Sequence, residues 1–239
     1  MRQMFIEYAW PPLPPFAGFL QGENALAVAQ LREQAWPGAP IYLWGPAGCG
    51  KTQLLRDLEA RAAAEGRVAQ WFDAATPAPW TLADDAALVL LDGADQWGDA
   101  QQRAAFSLFV EAAGRVDATA GPGAVLGVQI AAAGRVPPVD LPLREDLRTR
   151  LGWGAVHAIR PLGDDQVRVA LFQEAANKGI PLTDDVVDYL LKRFSRDLKS
   201  LMHLVHRLDH FALTEQRALT VTLLRRMLEE ESDAAAAST

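Results

Sequence analysis

The sequence predicts an α/β protein in which a phosphate-binding loop sits on a parallel sheet, followed by a small all-helical domain. Three observations carry this. The stretch Gly45-Pro46-Ala47-Gly48-Cys49-Gly50-Lys51-Thr52 reads G-x-x-x-x-G-K-T, the phosphate-binding P-loop. Short apolar runs alternate with helix-prone segments as far as about residue 160. From Pro161 onward the strand signals stop and only helical patterns remain.

Taken in order, residues 1–15 hold four prolines in five positions (Pro11, Pro12, Pro14, Pro15) behind an apolar hexapeptide, and read as a short tag on an extended spacer. A helix is expected over 25–34, with Asn24 as its N-cap. Ile41-Tyr42-Leu43-Trp44, between Pro40 and Gly45, is the strand that feeds the P-loop, and 53–64 is the helix leaving it. Residues 68–72 read as a second strand and 73–85 as a loop. Ala87-Leu88-Val89-Leu90-Leu91 is a continuous apolar run, as in a strand covered on both faces, and it ends at Asp92. A helix over 101–113 places Ala105, Leu108, Phe109 and Ala112 on one side. Further strands are expected over 124–130 and 156–159. The helical part then reads 164–177, a helix capped by Thr183 with Lys192 and Arg193 in its last turn, 197–213, and 220–231. The domain boundaries expected are thus 1–15, 16–160, 161–231 and a frayed tail at 232–239.

The composition sets limits. In 239 residues half are hydrophobic, which is enough for a sizeable core, and the formal charge of −7 argues against a chain whose main task is gripping nucleic acid. Cys49 is the single cysteine and cannot form an internal disulfide, as suits a reducing cytosol. No run is long and apolar enough to span a membrane, and the expected location is cytoplasmic. His203, His206 and His210 share one helix face opposite Leu201, Leu204, Val205, Leu208 and Phe211. They are read as a polar face rather than a metal site.

The chemistry expected at the loop follows from its residue types. Its glycines let backbone N–H groups turn around phosphate oxygens at the positive end of a helix. Lys51 reaches the outer phosphates, and Thr52 with Asp92 holds Mg²⁺. Gly93 follows Asp92 where hydrolysing proteins of this class carry a second carboxylate, so weak or absent intrinsic hydrolysis is expected. Asp95 is close in sequence, but is expected to approach from a different direction.

With P-loop, Asp92, Arg150 and Arg196 in this order, the chain resembles the AAA+ ATPases, and within them the initiator clade that holds DnaA and the Hda family. Residues 16–24 look like the segment that contacts adenine, Gly134-Arg135-Val136-Pro137-Pro138 like the turn after the sensor strand, Leu147-Arg148-Thr149-Arg150 like the arginine-finger segment, and Arg196-Asp197-Leu198 like the sensor 2 segment. The likeness covers roughly 16–230. It implies an AAA+ sheet domain with a helical lid. It implies ADP or ATP with Mg²⁺ bound by Leu20, Gly22, Gly45, Pro46, Gly48, Cys49, Gly50, Lys51, Thr52, Gln53, Asp92 and Arg196. It also implies an arginine finger at Arg150 that acts in trans. Gly134 stands about where DnaA has an aspartate, a second departure that weakens intrinsic hydrolysis.

The same resemblance implies partners. Members of the Hda family carry an N-terminal peptide for the DNA polymerase sliding clamp, and Gln3, Met4, Ile6 and Tyr8 fit its spacing but not its usual leucines. The acidic, alanine-rich end leads us to expect no basic DNA-reading domain after the lid, with DNA met only indirectly through the clamp. The implied function is negative regulation of replication initiation, by stimulating hydrolysis of DnaA-bound ATP. An active ATPase of the helicase-loader type and a nucleotide-holding adaptor are the alternatives, and homo-oligomerisation is left open.

Overall fold

The computed structural model describes residues 14–115, 127–194 and 198–237. The sheet is built from β1 (Ile41–Trp44), β2 (Val68–Phe72), β3 (Ala86–Leu91), β4 (Gln129–Gly134) and β5 (Ala155–Ala158), all parallel, in the order β2-β3-β4-β1-β5. The helices are α1 (Ala25–Glu33), α2 (Lys51–Ala64), α3 (Asp99–Gly114), α4 (Glu145–Gly152), α5 (Asp164–Asn177), α6 (Asp184–Arg193), α7 (Leu198–Glu215) and α8 (Val221–Ala237).

Strand alternation sorts the apolar residues onto two faces. Ile41 and Leu43 of β1, Leu88 and Leu90 of β3, and Ala131 and Ala133 of β4 meet Val28 and Leu31 of α1 and Leu54, Leu55 and Leu58 of α2. The intervening residues Tyr42, Val89, Leu91, Ile130 and Ala132 face α3 through Ala105, Leu108 and Phe109, and α4 through Leu147 and Leu151. Both faces are covered, which is why the strands read as unbroken apolar runs. The lid encloses its own core of Val167, Leu171, Val187, Leu190, Leu201, Val205, Leu208 and Leu224. α6 carries Asp184 and Asp185 in its first turn and Lys192 and Arg193 in its last, each matched to the helix dipole.

Several sequence expectations need correction. The fourth strand runs Gln129–Gly134, not 124–130; residues 124–126 lie outside the described residues. Alanines have low strand propensity, yet Ala131, Ala132 and Ala133 sit fully buried at the sheet centre, alternating between the two apolar cores that cover the sheet. Asn24 does not cap α1 with its side chain. Its amide instead donates to the Arg160 carbonyl at 2.9 Å and accepts from the Arg160 N–H at 2.8 Å. Thr183 occupies the N-cap of α6 without a side-chain capping bond, and only its carbonyl is used, by Val187 N–H at 3.1 Å. The last helix runs on to Ala237, past residue 231 where its end is expected, because alanine is the best helix former. The segment 145–152, carried only as an arginine-finger stretch, is the helix α4.

Candidate functional site

The strand order places three loop starts side by side at one sheet edge. β4 lies between β1 and β3, so the residues after Gly134 emerge between the P-loop and Asp92. This is where an open parallel sheet offers a crevice to a ligand. A cavity of about 350 Å³ opens there, lined by Ala47, Gly48, Lys51, Thr52, Asp92, Gly134 and Arg135, among others.

The P-loop wraps the N-terminus of α2, whose first N–H groups have no partner within the helix. Lys51 Nζ curls back onto its own loop, donating to the carbonyls of Gly45 at 2.9 Å and Pro46 at 2.8 Å, and lies 3.6 Å from Cys49 Sγ. Cys49 is buried beneath the loop. Phe19 covers the loop from outside, since a Cβ on Gly50 would meet its ring at 2.6 Å. Gly22 faces Leu162 and Gln166 across the start of the lid. The Gln166 side chain also accepts the Gly163 N–H at 3.1 Å. Leu20 and Gly22 therefore lie on the short stretch between the P-loop cover and the lid.

Thr52 Oγ1 donates to Asp92 Oδ2 at 2.7 Å. Two oxygens in adjacent positions of an octahedral Mg²⁺ shell stand about 2.9 Å apart, so this pair of hard oxygen donors fits that ion. Asp92 is itself fixed: Gly93 N–H donates to Oδ1 at 2.9 Å, and the Trp97 indole N–H donates to the Asp92 carbonyl at 3.3 Å. Gly93 has φ +74°, ψ +39°, a left-handed backbone that glycine adopts freely, and it brings no second acid to this position.

Asp73 and Asp95 also line the cavity, and neither was singled out as a site residue by sequence reasoning. Asp73 Oδ1 accepts from Thr76 Oγ1 at 2.7 Å, Thr76 N–H at 2.9 Å and Ala75 N–H at 3.0 Å, and the Thr76 hydroxyl leads in holding its carboxyl below the usual range. Asp95, which was expected to approach from a different direction, does reach the cavity. Burial, with the charge of Asp95 adding to it, pushes the Tyr42 hydroxyl well above its ordinary pKa. A Cβ on Gly134 would lie 2.2 Å from that hydroxyl, so Tyr42 occupies the space a side chain at 134 needs. The signal in the sequence was the single tyrosine in an otherwise apolar strand, one with a polar end to satisfy.

Of the expected residues, Leu20, Gly22, Gly45, Pro46, Cys49, Gly50, Gln53 and Arg150 do not line this cavity. The Gln53 amide donates to Asp57 Oδ1 at 3.4 Å, one turn along α2. Arg150 lies on α4, where its guanidinium is 4.8 Å from the centre of the Phe106 ring. It lines a separate depression of about 760 Å³ with Arg144, Glu145, Asp146, Thr149 and Trp153, and shares no lining residue with the P-loop cavity. Trp153 is 78% exposed beside it, and Phe106 also carries Arg144 at 5.6 Å. Arg196, Gln3, Met4, Ile6 and Tyr8 lie outside the described residues. His203 and His210 are exposed, and the His206 Nε2 is 2.9 Å from Lys178 Nζ. Among the described residues no cluster of His, Cys, Asp and Glu is suited to a metal ion, and no helix is long and apolar enough to cross a membrane.

Comparison with known proteins meets this geometry. Residues 164–228 match the family model of the Hda lid domain. The chain is similar to domain III of the Thermotoga maritima replication initiation protein DnaA, at 17% identity and a TM-score of 0.69, covering 92% of this chain and 98% of that one. It is also similar to AMPPCP-bound DnaA from Aquifex aeolicus, at 21% identity and a TM-score of 0.64, covering 93% of this chain and 71% of that one. A mutant of Thermotoga maritima RuvB follows at 14% identity and a TM-score of 0.59, covering 86% and 67%. Residues 164–228 are thus similar to the lid domain of the Hda family, and the chain as a whole has the fold of the DnaA structures that it matches.

Proposed function

We propose that this protein is a regulator of replication initiation that binds ADP or ATP with Mg²⁺ and supplies Arg150 to the ATP held by a DnaA partner. The observation that carries the proposal is the separation of two chemistries on one domain. Arg150 faces outward on α4 beside an exposed Trp153, away from the chain's own P-loop cavity. Within that cavity Asp92 is followed by a glycine in a left-handed backbone, so the chain's own hydrolysis is poorly equipped. An arginine offered to a neighbour is not weakened by either feature.

In this reading Lys51 exchanges the Gly45 and Pro46 carbonyls for phosphate oxygens, and Thr52 and Asp92 hold the cation. Bound Mg²⁺ would neutralise phosphate charge. Leu20 and Gly22 would flank the base, and Arg196 would meet phosphate from the lid. The N-terminal peptide with Gln3, Met4, Ile6 and Tyr8 would dock on the sliding clamp, bringing the protein to DNA without gripping it, in keeping with the charge of −7. The AMPPCP in the Aquifex aeolicus DnaA structure supports nucleotide binding in this fold. The lid match supports the regulatory branch over the initiator.

The test is single-turnover hydrolysis of ATP pre-bound to DnaA, with this protein and DNA-loaded clamp added together or singly. Acceleration that needs both, and that Arg150→Ala removes, is the expected result. A finger given in trans is worth roughly 10³–10⁵ in rate. Full stimulation by Arg150→Ala would reject the role. One observation favours the loader-type alternative: Asp95 gives the cavity a carboxylate beyond Asp92. Steady turnover by the chain alone, lost in Lys51→Ala, would select that reading.

A further inference from the structure

Two depressions meet on the α4 face, and Arg150 and Trp153 line both. One, of about 760 Å³, is bordered by Arg144, Glu145, Asp146 and Thr149. The other, of about 330 Å³, is bordered by the apolar side chains of Pro37, Pro40, Phe109, Val128 and Ile130. Arg150 and Trp153 form the ridge between them. The backbone of Trp153, at φ −75°, ψ −21°, continues α4 by one residue. Three residues apart on a helix, the two side chains leave from neighbouring positions, about 4.5 Å apart along the axis.

Trp153 differs from the other tryptophans among the described residues. Trp36, Trp44, Trp71, Trp80 and Trp97 are buried or half-buried, and Trp153 alone is exposed. Its backbone is nonetheless fixed on both sides. Leu151, two positions back, is fully buried in the core under α4. The Trp153 N–H closes the last turn of α4 on the Arg150 carbonyl at 3.4 Å, and the Ala155 N–H donates to the Pro40 carbonyl at 2.8 Å. A Cβ on Gly154 would run into that same Pro40 carbonyl, so only glycine lets the chain pass there. An aromatic ring on a fixed backbone offers a large contact area and loses little freedom when it is covered. Its neighbours are less firmly placed: Arg150 rests on the Phe106 ring at 4.8 Å, and Arg144 is paired with Asp146 at 2.7 Å.

We propose that Trp153 is the anchor that seats the partner domain, so that Arg150 beside it reaches the partner's nucleotide. Trp153 is then a positioning residue, and Arg150 the residue that meets phosphate. This rests on the in-trans reading above and adds how the partner is gripped. The occupant is the DnaA-type nucleotide domain itself, covering the indole with an apolar recess and filling the groove between Pro37 and Phe109. Charged contacts at a surface chiefly set orientation and rate of encounter, whereas a desolvated tryptophan supplies affinity. A nucleic acid strand fits less well. The groove offers apolar side chains where phosphates need cations, and Glu145 and Asp146 stand in the first turn of α4. A second copy of this chain brings a further charge of −7 and is repelled at range.

The experiment is the single-turnover assay on ATP-bound DnaA with DNA-loaded clamp, run over a range of concentrations of the full chain and of Trp153→Ala, Trp153→Phe and Arg150→Ala. Trp153→Ala is expected to raise the half-saturating concentration roughly 30-fold or more, as losing a central tryptophan does, with the rate at saturation unchanged. Trp153→Phe keeps a ring and should raise it less. Arg150→Ala should do the reverse, lowering the rate at saturation. The Trp153 side chain is exposed, so the thermal midpoints of its variants should match that of the unaltered chain. An unchanged half-saturating concentration in Trp153→Ala would reject the proposal, as would a fall in the saturated rate alone. Sedimentation that shows self-association lost in Trp153→Ala would give the face to a second copy instead. A single-stranded oligonucleotide bound by the unaltered chain and not by Trp153→Ala would give it to nucleic acid. If the unaltered chain stimulates nothing at any concentration, the in-trans reading fails and this inference with it. Stimulation that saturates alike in Trp153→Ala and the unaltered chain sinks this inference alone.

Discussion

Around the P-loop, polar side chains are held by bonds to the protein: Asp92 by Thr52 and Gly93, Asp73 by three donors from its own turn, and Lys51 by two carbonyls of its own loop. On the α4 face, the half-buried Arg150 and the exposed Arg144 rest on one shared ring, Phe106, beside an exposed tryptophan. The first region fixes its two carboxylates within the domain. The second presents a charge on a soft mount. A cation-binding pair of fixed oxygens beside a lysine suits a site that takes a phosphate together with its metal ion. A long side chain over an aromatic ring suits a contact completed by another molecule, because a cation–π contact at an exposed position is worth only about 0.5–1 kcal/mol and gives way to a better partner.

The sharpest way to break this contrast is to disarm each region separately. Lys51→Ala should weaken the chain's own nucleotide binding by roughly 10- to 100-fold, as expected for losing bonds to a charged group. Arg150→Ala should leave that binding unchanged while removing the stimulation of a partner. Calorimetry and the single-turnover assay, run on both variants, give a crossed result if the regions are independent. Loss of both properties in either variant would mean that they are one site.

A second measurement probes how rigid the cavity wall is. Gly134→Ala places a methyl group where the Tyr42 hydroxyl sits and should destabilise the fold by about 1–3 kcal/mol, as overpacking does. Tyr42→Phe removes the offending oxygen and leaves the ring carbon as the near neighbour, 3.3 Å from the added Cβ. The double variant should therefore be less damaged than the sum of the two single changes. Additive losses in denaturant unfolding would show that the strand end moves freely, against the contrast drawn here.

Smaller effects sharpen it further. Phe106→Ala removes the mount of Arg150 and should lower partner stimulation several-fold at unchanged nucleotide affinity, in line with about 1 kcal/mol. Asp57 gives the smallest and most specific signal. Burial holds its carboxyl above the ordinary range, partly offset by the Phe16 N–H and the Gln53 amide. A carboxyl with a raised folded pKa binds its proton more tightly in the folded chain. Its contribution to stability is full in acid and is lost as pH rises from its unfolded value through its folded one. Asp57→Asn stays neutral throughout and should raise the thermal midpoint at neutral pH, with the two proteins converging toward acid. Parallel curves would reject this account.

The parts of the site legible in the sequence are those made by consecutive residues. The P-loop, its strand and its helix follow from glycine spacing and local pattern, and Asp92 follows from the apolar run before it. What was not legible comes from topology. Asp95 and Arg135 are 40 residues apart, and only the placing of β4 between β1 and β3 brings them to one wall. Asn24 looked like a helix cap because caps and long-range clamps use the same side chain, and nothing local tells them apart. β4 was placed too early because three central alanines carry no strand signal of their own; the cover provided by α2 and the opposite core decides them. Gln53 follows the P-loop in sequence, but the turn of α2 points it at Asp57 instead.

The bonds of Asn24 to Arg160 have a mechanical consequence. Its side chain gives one bond to the Arg160 backbone and takes one from it, as neighbouring strand residues do, so it acts as a rivet between the segment before α1 and the tether that leads into the lid. Glu23 adds an ionic contact to the same arginine at 3.1 Å. Any swing of the lid that displaces Arg160 must either shear both Asn24 bonds or drag residues 22–24 along. Gly22 already abuts Leu162 and Gln166 at the other end of this linkage. The Phe19 cover over the P-loop and the tether at Arg160 are therefore joined through residues 19–24, so that a displacement of Arg160 is passed toward the mouth of the phosphate cavity.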